Sequence, residues 1–144
     1  MRAWENVNPG WGVAAIRVMA AIILIGSGYL KFAGGVDRFA GALPQLGFPA
    51  PELLGWLIPI MEVIGGVLVL LGLGVRWLGL YFILQFLVTT FYVKLPRSAP
   101  FGGWDSMRID LMMLAAAVML VLAGAGKASL DEMLAKRRAA PERL

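Results

Sequence analysis

Four long apolar stretches, separated by short segments rich in proline, glycine and charge, set the pattern of this chain. They run from Trp11 to Phe32, Leu53 to Val75, Trp77 to Val93 and Leu111 to Gly126. An α-helix needs about 20 mostly apolar residues, at a rise of about 1.5 Å each, to cross the hydrocarbon core of a bilayer. The pattern therefore predicts membrane-spanning helices over roughly 11–33, 53–75, 77–95 and 109–126. The last takes in Asp110 and its neighbours because its uncharged part is short. The fold class expected is all-α: an integral membrane four-helix bundle forming a single domain over 1–144, with a short surface helix at the end.

The connections carry their own signals. Met1 to Gly10 is a polar lead-in whose Trp4 suits the headgroup level, and the first apolar run is read as an uncleaved span. Gly26-Ser27-Gly28 predicts a face where another helix can approach closely. Between the first two spans, Gly35 to Glu52 holds Pro44, Pro49 and Pro51 among apolar Phe39, Leu43, Leu46 and Phe48. That mixture predicts an amphipathic segment or re-entrant hairpin acting as a lid over one end of the bundle, or over a pocket there. Pro59 removes a backbone donor inside the second span and is expected to loosen it. Trp77, Tyr81, Tyr92 and Trp104 fit the aromatic belts of a bilayer. At the end, Ser129 and Glu132 have the spacing of a capping box. Leu130, Met133 and Leu134 follow on one face, then Lys136, Arg137 and Arg138, which predicts an amphipathic surface helix over 129–139.

Composition sharpens the class. The chain is 60% hydrophobic and 15% charged, with mean hydropathy +0.78; soluble domains run at about 45–50% and 25%. It has no cysteine and no histidine, which removes thiol–disulfide chemistry, haem and iron–sulfur ligation by those residues, and histidine acid–base catalysis. That argues against autonomous catalysis and against a metal cofactor. The net charge of +4 comes from basic residues at the ends of apolar runs, which fits lipid headgroups and topology rather than nucleic acid.

Charges inside the spans are the candidate chemistry. Glu62 sits near the middle of the second span, where an acid costs at least about 2.5 kcal/mol. Of the 13 Lys and Arg, eight (Arg2, Arg17, Arg76, Lys127, Lys136, Arg137, Arg138, Arg143) share the side of the termini. The other five (Lys31, Arg38, Lys94, Arg97, Arg108) lie opposite, so both termini are expected in the cytoplasm of a cell whose inner membrane holds the protein. In that arrangement Glu62 lies about 13 Å below the outer start of its helix, within reach of the flexible Lys31 stem. Tyr29 or Gln85 are expected as further partners, and Lys94 with Asp110 as a second pair. Arg17, Lys31, Glu62, Gln85, Lys94 and Asp110 form the candidate polar cluster; Arg17 is expected to snorkel toward its nearer surface. Arg76, Lys127, Lys136, Arg137 and Arg138 form the candidate basic surface. The cluster reads either as a device fixing helix register or as an ion, proton or ligand site.

With these residues in place, the chain resembles the DoxX family of small bacterial four-helix membrane proteins. The resemblance rests on Arg17 followed by G-S-G-Y-L-K-F ending at Phe32, on M-E-V-I-G-G-V-L-V-L-L-G-L-G-V-R from Met61 to Arg76, and on G-A-G-K-A-S-L-D from Gly124 to Asp131. It implies Arg17, Lys31, Glu62 and Arg76 as family-typical positions. It also implies association with quinol oxidase, thiosulfate:quinone oxidoreduction or oxidative-stress complexes; thiol-redox roles do not carry over to a chain without cysteine. The expected function is a non-catalytic accessory subunit of a larger membrane complex, respiratory or redox-linked. The alternative is a quinone- or lipid-binding component with a pocket near Glu62 and Lys31. A transporter is disfavoured by the short chain and the lack of an inverted repeat.

Overall fold

The computed structural model describes residues 7–97 and 102–139. Arg2, Trp4 and Arg143, invoked above for topology and the headgroup layer, lie outside the described residues.

Helix α1 (Pro9–Ala33) opens on Asn8, whose side-chain oxygen accepts from the Gly10 amide at 2.8 Å, with proline at the first helical position. It ends at Gly34, after which a turn at Gly35 starts the short helix α2 (Val36–Ala42) and a 3-10 turn, Pro44–Leu46. Helix α3 (Pro51–Leu71) passes through Pro59 without a break. Helix α4 (Val75–Leu87) continues directly into a π-helical segment, Val88–Lys94, and the two together make one apolar span. Helix α5 (Trp104–Ala123) and the surface helix α6 (Leu130–Ala139) are the last described elements.

Four of these helices are long and apolar enough to cross a membrane: Pro9–Ala33, Pro51–Leu71, Val75–Lys94 and Trp104–Ala123. They form an antiparallel bundle in which α1 packs chiefly on α3, and α4 on α5. One end of the bundle, called the terminal end here, carries the start of α1, the α3–α4 turn and α6. The opposite, distal end carries α2 and the connection before α5. Trp11, Ile22, Trp56, Ile64, Leu84 and Leu122 point outward, the surface of a multi-pass membrane protein in contact with lipid. Inside lie Ala21, Leu24, Val69, Phe82, Phe86, Met113, Ala117 and Leu120. Small residues allow the close α1–α3 contact. A Cβ on Gly28 would stand 2.7 Å from Val63 Cγ2 and 2.8 Å from the Pro59 carbonyl oxygen. Gly26, expected to share that face, has open space around it instead.

Two spans differ from the pattern-based expectation, each for a local reason. The second stops at Leu71 rather than 75 because Gly72 and Gly74 both take positive φ (72° and 62°) and turn the chain. The fourth begins at Trp104 rather than 109, since Asp105, Ser106 and Arg108 form a polar first turn that hydropathy alone does not see. Ser106 Oγ donates to the Gly103 carbonyl at 3.2 Å, and Arg108 lies 3.3 Å from Asp105. The π-helical segment had no expectation at all. Its register shows in the Leu95 amide donating to the Thr90 carbonyl, five residues back, at 2.9 Å.

Candidate functional site

The site grows from the single acid at mid-span of α3. Glu62 is buried, and both its oxygens are taken. Lys31 Nζ from the last turns of α1 approaches Oε2 at 2.5 Å, and Gln85 Nε2 from α4 donates to Oε1 at 2.7 Å. The charge that is costly in lipid is thus answered by a cation from one neighbouring helix and a neutral donor from another. Tyr29 is not among the partners; it points outward and is largely exposed. It follows Gly28, which meets α3, and so stands about 100° further round the helix.

A second ion pair sits beside the first. Lys94 Nζ lies 2.8 Å from Asp110 Oδ2 and donates to the Ser106 carbonyl at 2.9 Å. Lys94 is the last residue of the π-helical segment. The wider turn there changes its heading relative to an unbroken α-helix and presents it to α5. Wide turns of this kind inside helices recur at functional sites.

Lys31, Glu62, Gln85, Lys94 and Asp110 all line one cavity of about 360 Å³ in the distal half of the bundle. Its remaining wall is mostly apolar, including Ile23, Leu24, Ile58, Phe86, Val93 and Met113. The α1–α3 connection covers it: Phe39, Leu43, Leu46 and Phe48 supply the roof. Three contacts hold that roof down. The Phe39 ring lies 5.6 Å from Lys31 Nζ, Phe48 meets Tyr92 edge-on at 5.7 Å, and Arg97 donates to the carbonyls of Tyr92 (2.8 Å), Val93 (2.9 Å) and Leu46 (3.5 Å). Arg97 was not singled out in the sequence, where it is one more loop arginine. Gln85 Oε1 is buried with no hydrogen-bond partner among the described residues. An orphaned acceptor of that kind carries a desolvation penalty that a donor on a ligand would remove.

Arg17 does not belong to this cavity. It sits in the terminal half and does not snorkel: it is 2% exposed, with its guanidinium turned into the bundle. It donates to the carbonyls of Ala125, Lys127 (3.2 Å) and Ala128 (2.9 Å). The segment after α5 curls to present them, with Gly124, Gly126 and even Ala128 at positive φ. Ser129 and Asp131 then lock the curl to the α3–α4 turn. A side chain on Gly72 would run into Ser129 and Arg17, the Asp131 amide donates to the Gly72 carbonyl at 3.0 Å, and Asp131 accepts from the Gly74 (3.0 Å) and Val75 (3.4 Å) amides. Asp131 is thus a cap, supplied from a distance, on an α4 start that has no capping side chain of its own. Ser129 Oγ accepts from the Glu132 amide at 3.2 Å, as a capping box requires. The Glu132 carboxylate bonds instead to Lys127 (2.9 Å) and Lys136 (3.0 Å), which hold its pKa down to about 2. Arg76, Lys136, Arg137 and Arg138 are exposed at this end, and Lys127 is half-buried.

A lidded bundle with a paired acid at mid-membrane and a polar-floored cavity defines a class: a multi-pass membrane protein with an intramembrane pocket. The DoxX family profile matches residues 12–95, and the chain belongs to the DoxX family. It is 33% identical over 127 residues to "Putative oxidoreductase CatD" of Bacillus subtilis, covering 87% of this chain and 88% of that protein. It is 30% identical over 137 residues to "Uncharacterized membrane protein Rv3486" of Mycobacterium tuberculosis, covering 89% and 84% respectively. No solved structure matches the chain significantly.

Proposed function

We propose that the distal cavity receives the head of a quinone or a closely similar lipid, and that the chain is the ligand-holding subunit of a larger redox-linked membrane assembly. The observation that carries this is the convergence of five polar side chains from all four spans on one apolar-walled cavity of about 360 Å³. Its size falls in the range of small-molecule sites, which pair apolar walls with a few placed polar groups. A quinone head presents carbonyl acceptors or hydroxyl donors according to its redox state. Lys31 and Lys94 offer donors to the first form; Gln85 Oε1 and the two carboxylates offer acceptors to the second. A bound quinone would supply two-electron chemistry; Glu62 and Lys31 would orient its head, and the Phe39–Phe48 roof would keep water away. The chain has no thiol or imidazole of its own for redox or proton chemistry, so a partner protein would supply the electron donor or acceptor. The name of the Bacillus subtilis relative, an oxidoreductase, agrees with this reading. The charge asymmetry supports a terminal end facing the cytoplasm of the cell membrane, with the pocket in the outer half.

Mass spectrometry of lipids carried by the full chain, extracted in native-membrane discs, tests the proposal. A quinone-type lipid is expected with the wild-type protein and about tenfold less with Glu62→Gln, which keeps the shape but removes the charge. An equal load in both, or no such lipid in either, would overturn it.

A further inference from the structure

A second, wholly apolar groove runs along the lipid-facing seam between α1 and α5. It has a volume of about 280 Å³ and is lined by Ala15, Ile16, Met19, Ala20, Ile23, Met112, Met113 and Ala116. Alanines from both helices line it, and Ile16, Met19, Ile23 and Met112 stand exposed around it. The seam exists because α1 and α5 touch far less extensively than either touches its main partner.

Two of its residues decide what it is for. Ile23 and Met113 line both this groove and the polar cavity. Those two side chains, each near the middle of its helix, stand between the groove and the cavity and present a face to both. From Ile23 back to Ile16 the groove follows α1 for seven residues, about 10 Å at the helical rise. A polar-floored chamber and an apolar groove side by side, parted by two side chains, match the two parts of one amphiphile: a hydrogen-bonding head and a slender tail. The channel offers no polar group to a second head, and its unbranched methionines adapt to a flexible chain better than branched residues would.

We infer that the α1–α5 seam is the lateral portal and tail channel of the pocket: a single-tailed, isoprenoid-type lipid enters between Ile23 and Met113 and leaves its tail along Ala15, Met19 and Ala116. The inference rests on the proposed quinone-type pocket and adds to it the route of entry and the class of tail. The roof needs no opening for loading under this arrangement, because the ligand comes from the bilayer rather than from the aqueous side.

The test uses the full chain in lipid discs and two synthetic quinones with one common head, one without a side chain and one with a long isoprenoid tail. Comparing each ligand across variants cancels its own partition into the bilayer. Ala15→Leu combined with Ala116→Leu fills the channel from its lipid-facing side. It is expected to weaken the tailed quinone about tenfold and leave the head-only quinone within about twofold, which also shows that the variant is folded. Glu62→Gln is expected to weaken both. Unchanged affinity for both ligands in the channel variant, or equal loss of both, overturns the portal while the pocket reading survives through Glu62→Gln. Failure of the wild-type chain to bind either ligand sinks the pocket and the portal together. A changed oligomeric state in the channel variant, with tailed-quinone affinity intact, would assign the seam to a neighbouring helix and contradict the inference.

Discussion

Glu62 is stable in the membrane only as a member of a set, which makes its single substitutions informative. Glu62→Leu strands Lys31 and leaves the Gln85 amide without its acceptor. Breaking a buried pair from one side costs about 3–5 kcal/mol, and the flexible Lys31 stem lowers that by reaching toward the distal surface. Lys31→Met is expected to destabilise similarly, and the double variant to recover part of the loss. A double-mutant cycle by thermal unfolding in detergent should give a coupling of about 0.5–3 kcal/mol; additive effects would show that the pair does not support the fold. Arg17→Lys removes a planar fork that serves three carbonyls and replaces it with a point charge. A loss of about 1.5–3 kcal/mol is expected, with earlier protease cleavage after Ala123 as its local sign. The sequence made the first of these sets legible and the second only partly so. Helix rise alone brings Lys31 level with Glu62, whereas the acceptors of Arg17 are backbone carbonyls, which leave no trace in residue identity. Charge counting puts Arg17 on the side of the termini, but nothing in residue identity shows that it turns inward onto those carbonyls.

Elements were readable where hydropathy governs them and not where local chemistry does. The four spans follow from apolar length, yet the polar first turn of α5 and the π-helical Val88–Lys94 do not. Nothing in VTTFYVK distinguishes five-residue from four-residue hydrogen bonding. The surface helix carries a pH dependence. Glu132 is held to about 2 by hydrogen bonds from Lys127 and then Lys136, below its ordinary value of 4.5. A depressed carboxylate contributes stability that is fully present above its unfolded value and lost as pH falls through the folded one. Hydrogen exchange over Leu130–Ala139 should therefore be flat from neutral pH down to about 4.5 and accelerate, after correction for intrinsic rates, toward pH 2. Glu132→Gln should remove that acid-dependent opening.

The molecule as a whole divides its polar chemistry between two ends. At the terminal end Arg17, Ser129 and Asp131 tie α1, the α3–α4 turn and α6 together, beside an open hollow of about 590 Å³ rimmed by Arg76, Lys127 and Glu132. At the distal end the charges face an apolar-walled cavity, and the connection is a roof. Since the chain has no cysteine, single cysteines at Arg38 and at Arg137 report topology directly. A membrane-impermeant thiol reagent should label position 38 and not 137 in intact cells; the opposite pattern would reverse the proposed orientation. The central claim is that the buried acid at the heart of α3 meets a ligand head inside this bundle. Isotope-edited difference infrared spectroscopy on the carboxylate of Glu62, recorded as quinone is added to the full chain in lipid discs, reads that contact without an assay of turnover. The account predicts a shifted carboxylate band that Lys31→Met alters and Glu62→Gln abolishes; a spectrum in which the Glu62 band stays unmoved while quinone binds would contradict it.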